Sequence, residues 1–144
     1  MSDLEVLSIE QQVLLSSVAQ HRRIDEHEAI VRQGDPAAAI YLIESGTVSV
    51  EIDHLGSPVQ VNELGPGEIF GEISFVDGGA ASATCVASTE VEVAVFDQRS
   101  LNELIASNPA LAAAIFRAFA VVLAGRLRRH GAGAGATMTV LAPS

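Results

Sequence analysis

The chain has 144 residues, with eight arginines, no lysine and eighteen acids, giving a formal net charge of −10, and 49% of its residues are hydrophobic. That length suits one domain of about 100–150 residues with a buried core, and a charged fraction of 18% excludes a charge-rich disordered chain. A single cysteine, Cys85, excludes a disulfide framework and any multi-cysteine metal site, and it fits a reducing compartment.

The N-terminus is acidic, with no basic region leading into an apolar stretch. The longest apolar run, Ala110 to Gly125, has 16 residues and contains Arg117, against about 20 apolar residues for a bilayer span. A soluble cytoplasmic protein with no membrane span is expected. All eighteen acids lie at or before Glu103, together with four of the arginines, a balance of −14 for that segment. Such a body repels phosphate backbones, so no nucleic-acid partner is expected. The cluster Arg126, Arg128 and Arg129 reads as cations favoured by the C-terminal dipole of a helix.

In chain order, Leu4 to Ala19 reads as an opening helix, with Leu4, Leu7, Val13, Leu14, Leu15 and Val18 on a shared face. Ser8 with Gln11 has the form of a capping box, which places the helix proper from there. From about Arg22 the period shortens: Ala29-Ile30-Val31, Ile40 to Ile43, Val48 to Ile52, Val59 to Val61 and Val91 to Val95 are β-rich runs. Turn residues separate them at Gly34-Asp35-Pro36, Ser45-Gly46, Leu55 to Pro58, Gly65-Pro66-Gly67 and Gly78-Gly79. Many short strands at near-regular spacing predict an antiparallel sandwich, roll or barrel.

Helical character returns at Gln98, with Ser100 as a candidate opening of a short helix through Ala106, and Asn108-Pro109 marks the start of a final helix running to about Arg129. At about 100° per residue this helix has two apolar faces. Leu111, Ile115, Ala118, Val122 and Gly125 form a seam of modest side chains, and Phe116, Phe119, Leu123 and Leu127 form a bulkier one. One stripe docks a helix on its own domain; the second asks for a partner. A homodimer is expected, with Leu111, Ile115, Ala118 and Val122 as the dimer seam. Residues 131–144 begin as alternating Gly and Ala and are expected to form a flexible tail after a domain spanning 1–130, with Met138 to Leu141 as a possible docking peptide.

The segment Phe70 to Cys85 carries the chemistry. A strand ends at Gly71, a short helical turn follows with exposed backbone amides, and the chain re-enters a strand through small hydroxyl residues. Such amides favour an anion, and Glu72 beside them suits accepting a hydrogen bond from a sugar hydroxyl.

Arg32-Gln33-Gly34-Asp35-Pro36, Tyr41 to Val48 and Leu64 to Glu72 stand in the order and spacing of three blocks of the cyclic-nucleotide-binding domain family, which the chain resembles from about Leu4 to Arg129. That family supplies the sensor modules of catabolite-activator-type regulators, kinase regulatory subunits and gated channels. The resemblance implies a mainly β fold with flanking helices: an antiparallel, jelly-roll-like β-roll of about eight strands, with an N-terminal helix, a short phosphate-cassette helix and two C-terminal helices. It implies a stand-alone bacterial member with a ligand site at Phe70, Gly71, Glu72, Ile73, Ala81, Ser82 and Thr84. Gly71 resembles the cassette glycine, Glu72 the carboxylate that holds the ribose 2′-hydroxyl, Ser82 the small residue beside the phosphate, and Thr84 the next inward residue.

The chain departs from the family at Ala81, where ligand-binding members usually carry the arginine that pairs with the cyclic phosphate. Hydrogen bonds to charged groups contribute about 1.5–3 kcal/mol each, so loss of a bidentate pair weakens binding by roughly a hundred- to several-thousand-fold. The resemblance implies a non-catalytic regulatory domain that senses cyclic AMP, cyclic GMP or a related small ligand and signals through its C-terminal helices to a protein effector in trans. The alternative is a ligand-free fold serving as an interaction scaffold. No enzyme is expected: His21, His27, His54 and His130 are scattered without metal-ligand spacing, so no metal or cofactor is expected, and Cys85 reads as a small buried residue.

Overall fold

The computed structural model describes residues 2–134. Eight antiparallel strands form two four-stranded sheets that fold on each other as a β-roll. One sheet has the order β1 (Ala19–Ile24), β8 (Val91–Asp97), β3 (Ala39–Ser45), β6 (Ile69–Phe70). The other has the order β2 (Ala29–Val31), β7 (Thr84–Ala87), β4 (Val48–His54), β5 (Ser57–Leu64). Four helices flank the roll: α1 (Ile9–Ser16), α2 (Glu72–Asp77), α3 (Gln98–Ala106) and α4 (Pro109–Ala134). Fold class and element order agree with the sequence expectation.

Side chains alternate across a strand, and the two central strands of the first sheet, β3 and β8, are covered on both faces. On β3, Tyr41 and Ile43 enter the roll with Val48, Val50, Phe70, Val93 and Val95, while Ile40 and Leu42 face the helices. On β8, Ala94 and Phe96 face the helices and Val91, Val93 and Val95 the roll interior. A strand covered on both sides needs a continuous apolar run, which Ile40 to Ile43 and Val93 to Phe96 supply, in contrast to the polar-rich β5. Pro58 sits in β5, an edge strand, where its missing N–H costs no ladder bond to a further neighbour.

The opening helix is shorter than its apolar pattern suggests. Ser8 caps α1, accepting from the Gln11 N–H at 3.0 Å, while the Gln11 side chain accepts from the Ser8 N–H. Leu4 and Leu7 reach the core from turns before it, and Val13 is exposed. α3 begins at Gln98, where helical character was expected to return, because Asp97 caps it through the Ser100 N–H. α4 runs to Ala134, into the Gly/Ala segment expected to be a flexible tail, propagation adding one helical bond per residue and alanine being the best helix former. The rest of that tail, with Met138 to Leu141, lies outside the described residues.

The expected dimer seam is corrected by the packing. Leu111, Ile115, Ala118 and Val122 are all buried against this chain's own roll and α1, in one cluster with Leu15, Ile40, Phe96 and Leu101. They cannot meet a second copy without unfolding that core. The face left open carries Phe116, 41% exposed, and Leu127, 58% exposed. In urea denaturation, Ile115→Ala is expected to lower stability by about 2–5 kcal/mol, as for other buried aliphatic truncations, and Leu127→Ala by less than about 1 kcal/mol.

Candidate functional site

A cavity of about 190 Å³ opens between β2 with the loop that follows it and the segment from Phe70 to Ala83. Tyr41 and Phe70 stack within it at 4.8 Å between ring centroids. The chain reaches the cavity through Gly71, which has φ 93° and caps the short helix α2. Any side chain there is excluded twice: the left-handed φ disfavours it, and a Cβ atom would lie 2.7 Å from the Ala39 carbonyl oxygen. Ile73 and Ser74 of α2 line the cavity, and the Ser74 hydroxyl donates to the Ala80 carbonyl at 3.0 Å. The opposite wall is zipped to the cassette. Gly34 N–H donates to the Ala81 carbonyl and Ala81 N–H to the Asp35 carbonyl, each at 2.9 Å.

Glu72 turns away from this cavity. Its side chain is fully buried, and Oε2 accepts from Nη1 of Arg126 at 2.7 Å. Arg126 is 4% exposed and also donates to the Ile69 carbonyl. The Asp3 carboxylate lies 3.8 Å from the same guanidinium and accepts from the Ile69 N–H at 2.9 Å. One arginine of α4 thereby joins the N-terminal turn, β6 and the cassette helix. A second link runs beside it, since Phe75 of α2 packs on Phe116 and edge-on to Phe119 of α4. Burial pushes the Glu72 carboxyl above its ordinary value of 4.5, against the attraction of Arg126. Asp3 is raised for the same first reason. The Cys85 thiol, facing the roll interior, is pushed up to about 12 by burial, so it is inert as a nucleophile. Among the described residues no three His, Cys, Asp or Glu side chains gather to hold a metal ion.

The roll, the cassette helix entered through a left-handed glycine, and the C-terminal helix packed behind it agree with a sequence match: residues 21–108 match the Cyclic nucleotide-binding domain. The chain belongs to the cyclic nucleotide-binding domain family. It is 37% identical over 123 residues to the Cyclic AMP receptor protein of Thermus thermophilus, covering 85% of this chain and 55% of that protein. With the cAMP-dependent protein kinase type II regulatory subunit of Drosophila melanogaster it shares 32% identity over 103 residues, 71% of this chain and 27% of the subunit. The chain thus spans about half, or about a quarter, of the length of these relatives. Among solved structures, a cyclic nucleotide-binding domain from Methylobacillus flagellatus superposes with a TM-score of 0.84 at 28% identity, covering 91% of this chain and 79% of that one.

The structure brings together Phe70, Gly71, Ile73, Ala81 and Ser82 on the cavity. It leaves out two of the expected ligand residues. Glu72, expected to face a sugar hydroxyl, is committed to Arg126. Thr84, expected to point inward, lies on the outer side of β7, because Ala83 and Cys85 take the inward positions on either side of it. Its hydroxyl accepts from the Gln33 N–H at 2.9 Å.

Arg126 is the residue that sequence reasoning misassigned, grouping it with Arg128 and Arg129 as a dipole-favoured cation. The signal was its phase: it follows Val122 by four residues and Phe119 by seven, on the face that docks, whereas Arg128 and Arg129 are exposed.

Removing one partner of a buried ion pair leaves a bare charge. Arg126→Met is expected to cost about 3–5 kcal/mol in chemical denaturation at neutral pH, and the double variant Glu72→Leu/Arg126→Met to recover most of it. The raised Glu72 carboxyl means that the folded chain binds its proton more tightly than the unfolded chain. Its contribution to stability is therefore greatest below 4.5 and falls as pH rises through the raised value. The stability difference between the native chain and Glu72→Gln is expected to shift against the native chain over that interval, measured by denaturation as a function of pH.

Proposed function

We propose that this domain is a non-catalytic sensor. A cyclic nucleotide, or a related small anionic ligand, enters the cavity beside α2, and α4 carries the response to a protein effector. The observation that carries this reading is the Glu72–Arg126 pair. α2 turns two kinds of residue in different directions: Ile73 and Ser74 line the cavity, while Glu72 and Phe75 hold α4. A ligand that displaces α2 therefore moves the groups that fix α4.

The resting cavity is smaller than the roughly 300–1,000 Å³ of typical ligand pockets, so filling it with a nucleotide requires the cassette to shift. Glu72 Oε1 is buried and accepts no hydrogen bond from the described residues. Rotation of α2 toward the cavity presents that oxygen to a ligand hydroxyl and withdraws the carboxylate from Arg126. The ligand must favour the shifted state by the free energy that loosening the pair costs.

The second apolar stripe of α4 supports homodimerisation. Phe116 and Leu127 are exposed, Leu123 is half-buried, and the small Ala120 lies between them, so two such helices can approach along a two-fold axis. The same helix, from Pro109 to Arg129, has the length and a mean hydropathy of 1.8 to cross a membrane. One face of it, with Leu111, Ile115, Ala118, Phe119 and Val122, is nevertheless buried against the roll, which supports a domain outside the membrane.

Titration calorimetry with cyclic AMP and cyclic GMP tests the sensor. Ala81→Arg, which restores a cation to the cassette, is expected to raise affinity by about two to three decades. Absence of binding by both the native chain and Ala81→Arg contradicts the sensor and favours a ligand-free scaffold. In light scattering, Leu127→Asp is expected to convert a dimer to a monomer with the roll intact by circular dichroism.

A further inference from the structure

Resting on the sensor reading, we infer that Arg32 is the anion-binding cation of this cavity, recognising a phosphate or phosphodiester from the wall opposite the cassette. Arg32 and Asp35 are the charged residues that line the cavity. The Arg32 guanidinium makes no ion pair with a described carboxylate, whereas Arg23, Arg99 and Arg126 all do.

Its position follows from the backbone. Arg32 stands two residues before Gly34, whose N–H is held 2.9 Å from the Ala81 carbonyl. Arg32 opens the turn that contains Gly34, its carbonyl accepting from the Asp35 N–H at 3.0 Å, so it belongs to the same tight turn that bonds the Ala81 N–H and carbonyl. Arg32 thus reaches the ground beside Ala81, where the small side chain supplies no charge of its own.

The backbone at Ala81 cannot take over the task in this arrangement, because its N–H is already spent on the Asp35 carbonyl. Across the cavity, Ser82 offers a hydroxyl that donates to no described residue. A phosphate seated between them receives a bidentate guanidinium contact from one wall and a hydroxyl contact from the other, the geometry that suits arginine and phosphate. The cation has changed walls.

The test uses the full chain and labelled cyclic AMP and cyclic GMP, with inorganic phosphate as competitor, on the native protein, Arg32→Gln, and Arg32→Gln/Ala81→Arg. Arg32 is exposed, so equal melting temperatures are expected for native and Arg32→Gln. Nucleotide affinity should fall roughly ten- to a hundred-fold in Arg32→Gln and return in the double variant, which replaces the cation from the cassette side. Phosphate should displace the label from the native chain, with a weaker effect on Arg32→Gln. A source confined to free phosphate would show as phosphate-dependent protection of the native chain that Arg32→Gln loses, without nucleotide binding. Nucleotide and phosphate binding unchanged in Arg32→Gln overturns the assignment alone and leaves the sensor standing. A native chain that binds neither probe overturns the assignment of Arg32, and if Ala81→Arg binds neither as well the sensor falls with it.

Discussion

A single buried ion pair organises this domain. Glu72 and Arg126 come from segments 54 residues apart, one opening the cassette helix and the other near the described end of α4. Removing two charges from water costs several kcal/mol for each ion, and their attraction offsets this only with good geometry and further hydrogen bonds. Those bonds are present at the Ile69 carbonyl, with the Asp3 carboxylate close by. The pair therefore adds little to stability by itself but fixes which face of α4 meets the roll and where α2 can sit. An apolar pair at these positions would hold α4 through area alone, and area is indifferent to small displacements of the cassette.

The cavity and the pair sit on opposite sides of one short helix. α2 has six residues and enters through a glycine that no other residue replaces without strain and collision. On one side it meets the ligand space through Ile73 and Ser74, and on the other α4 through Glu72 and Phe75. Coupling of this kind needs no long chain of residues, because the same rigid element borders both sites.

Much of the fold was legible in the sequence. The strands announced themselves through β-branched runs and intervening glycines, and Ser8 with Gln11 named the start of α1 by its capping chemistry. The cavity residues Gly71, Ile73, Ala81 and Ser82 were named by the family resemblance, Ala81 as a departure from it. What could not be read was which apolar stripe of α4 faces inward, since both are apolar and periodicity carries no sign. The bulky-looking stripe proved only partly buried: Phe119 packs inward while Phe116 and Leu127 remain exposed. The pairing of Glu72 with Arg126 could not be read because the two residues are distant in sequence. A carboxylate looks available for a ligand until a buried arginine is found beside it.

Hydrogen–deuterium exchange of the amides from 122 to 129 in α4, with and without saturating cyclic AMP or cyclic GMP, tests the coupling most directly. Coupling through Glu72 and Arg126 predicts faster exchange in this segment when ligand fills the cavity, and a much smaller change in the Glu72→Leu/Arg126→Met variant. Exchange in α4 that stays the same at saturating ligand, while the cassette amides become protected, would contradict it.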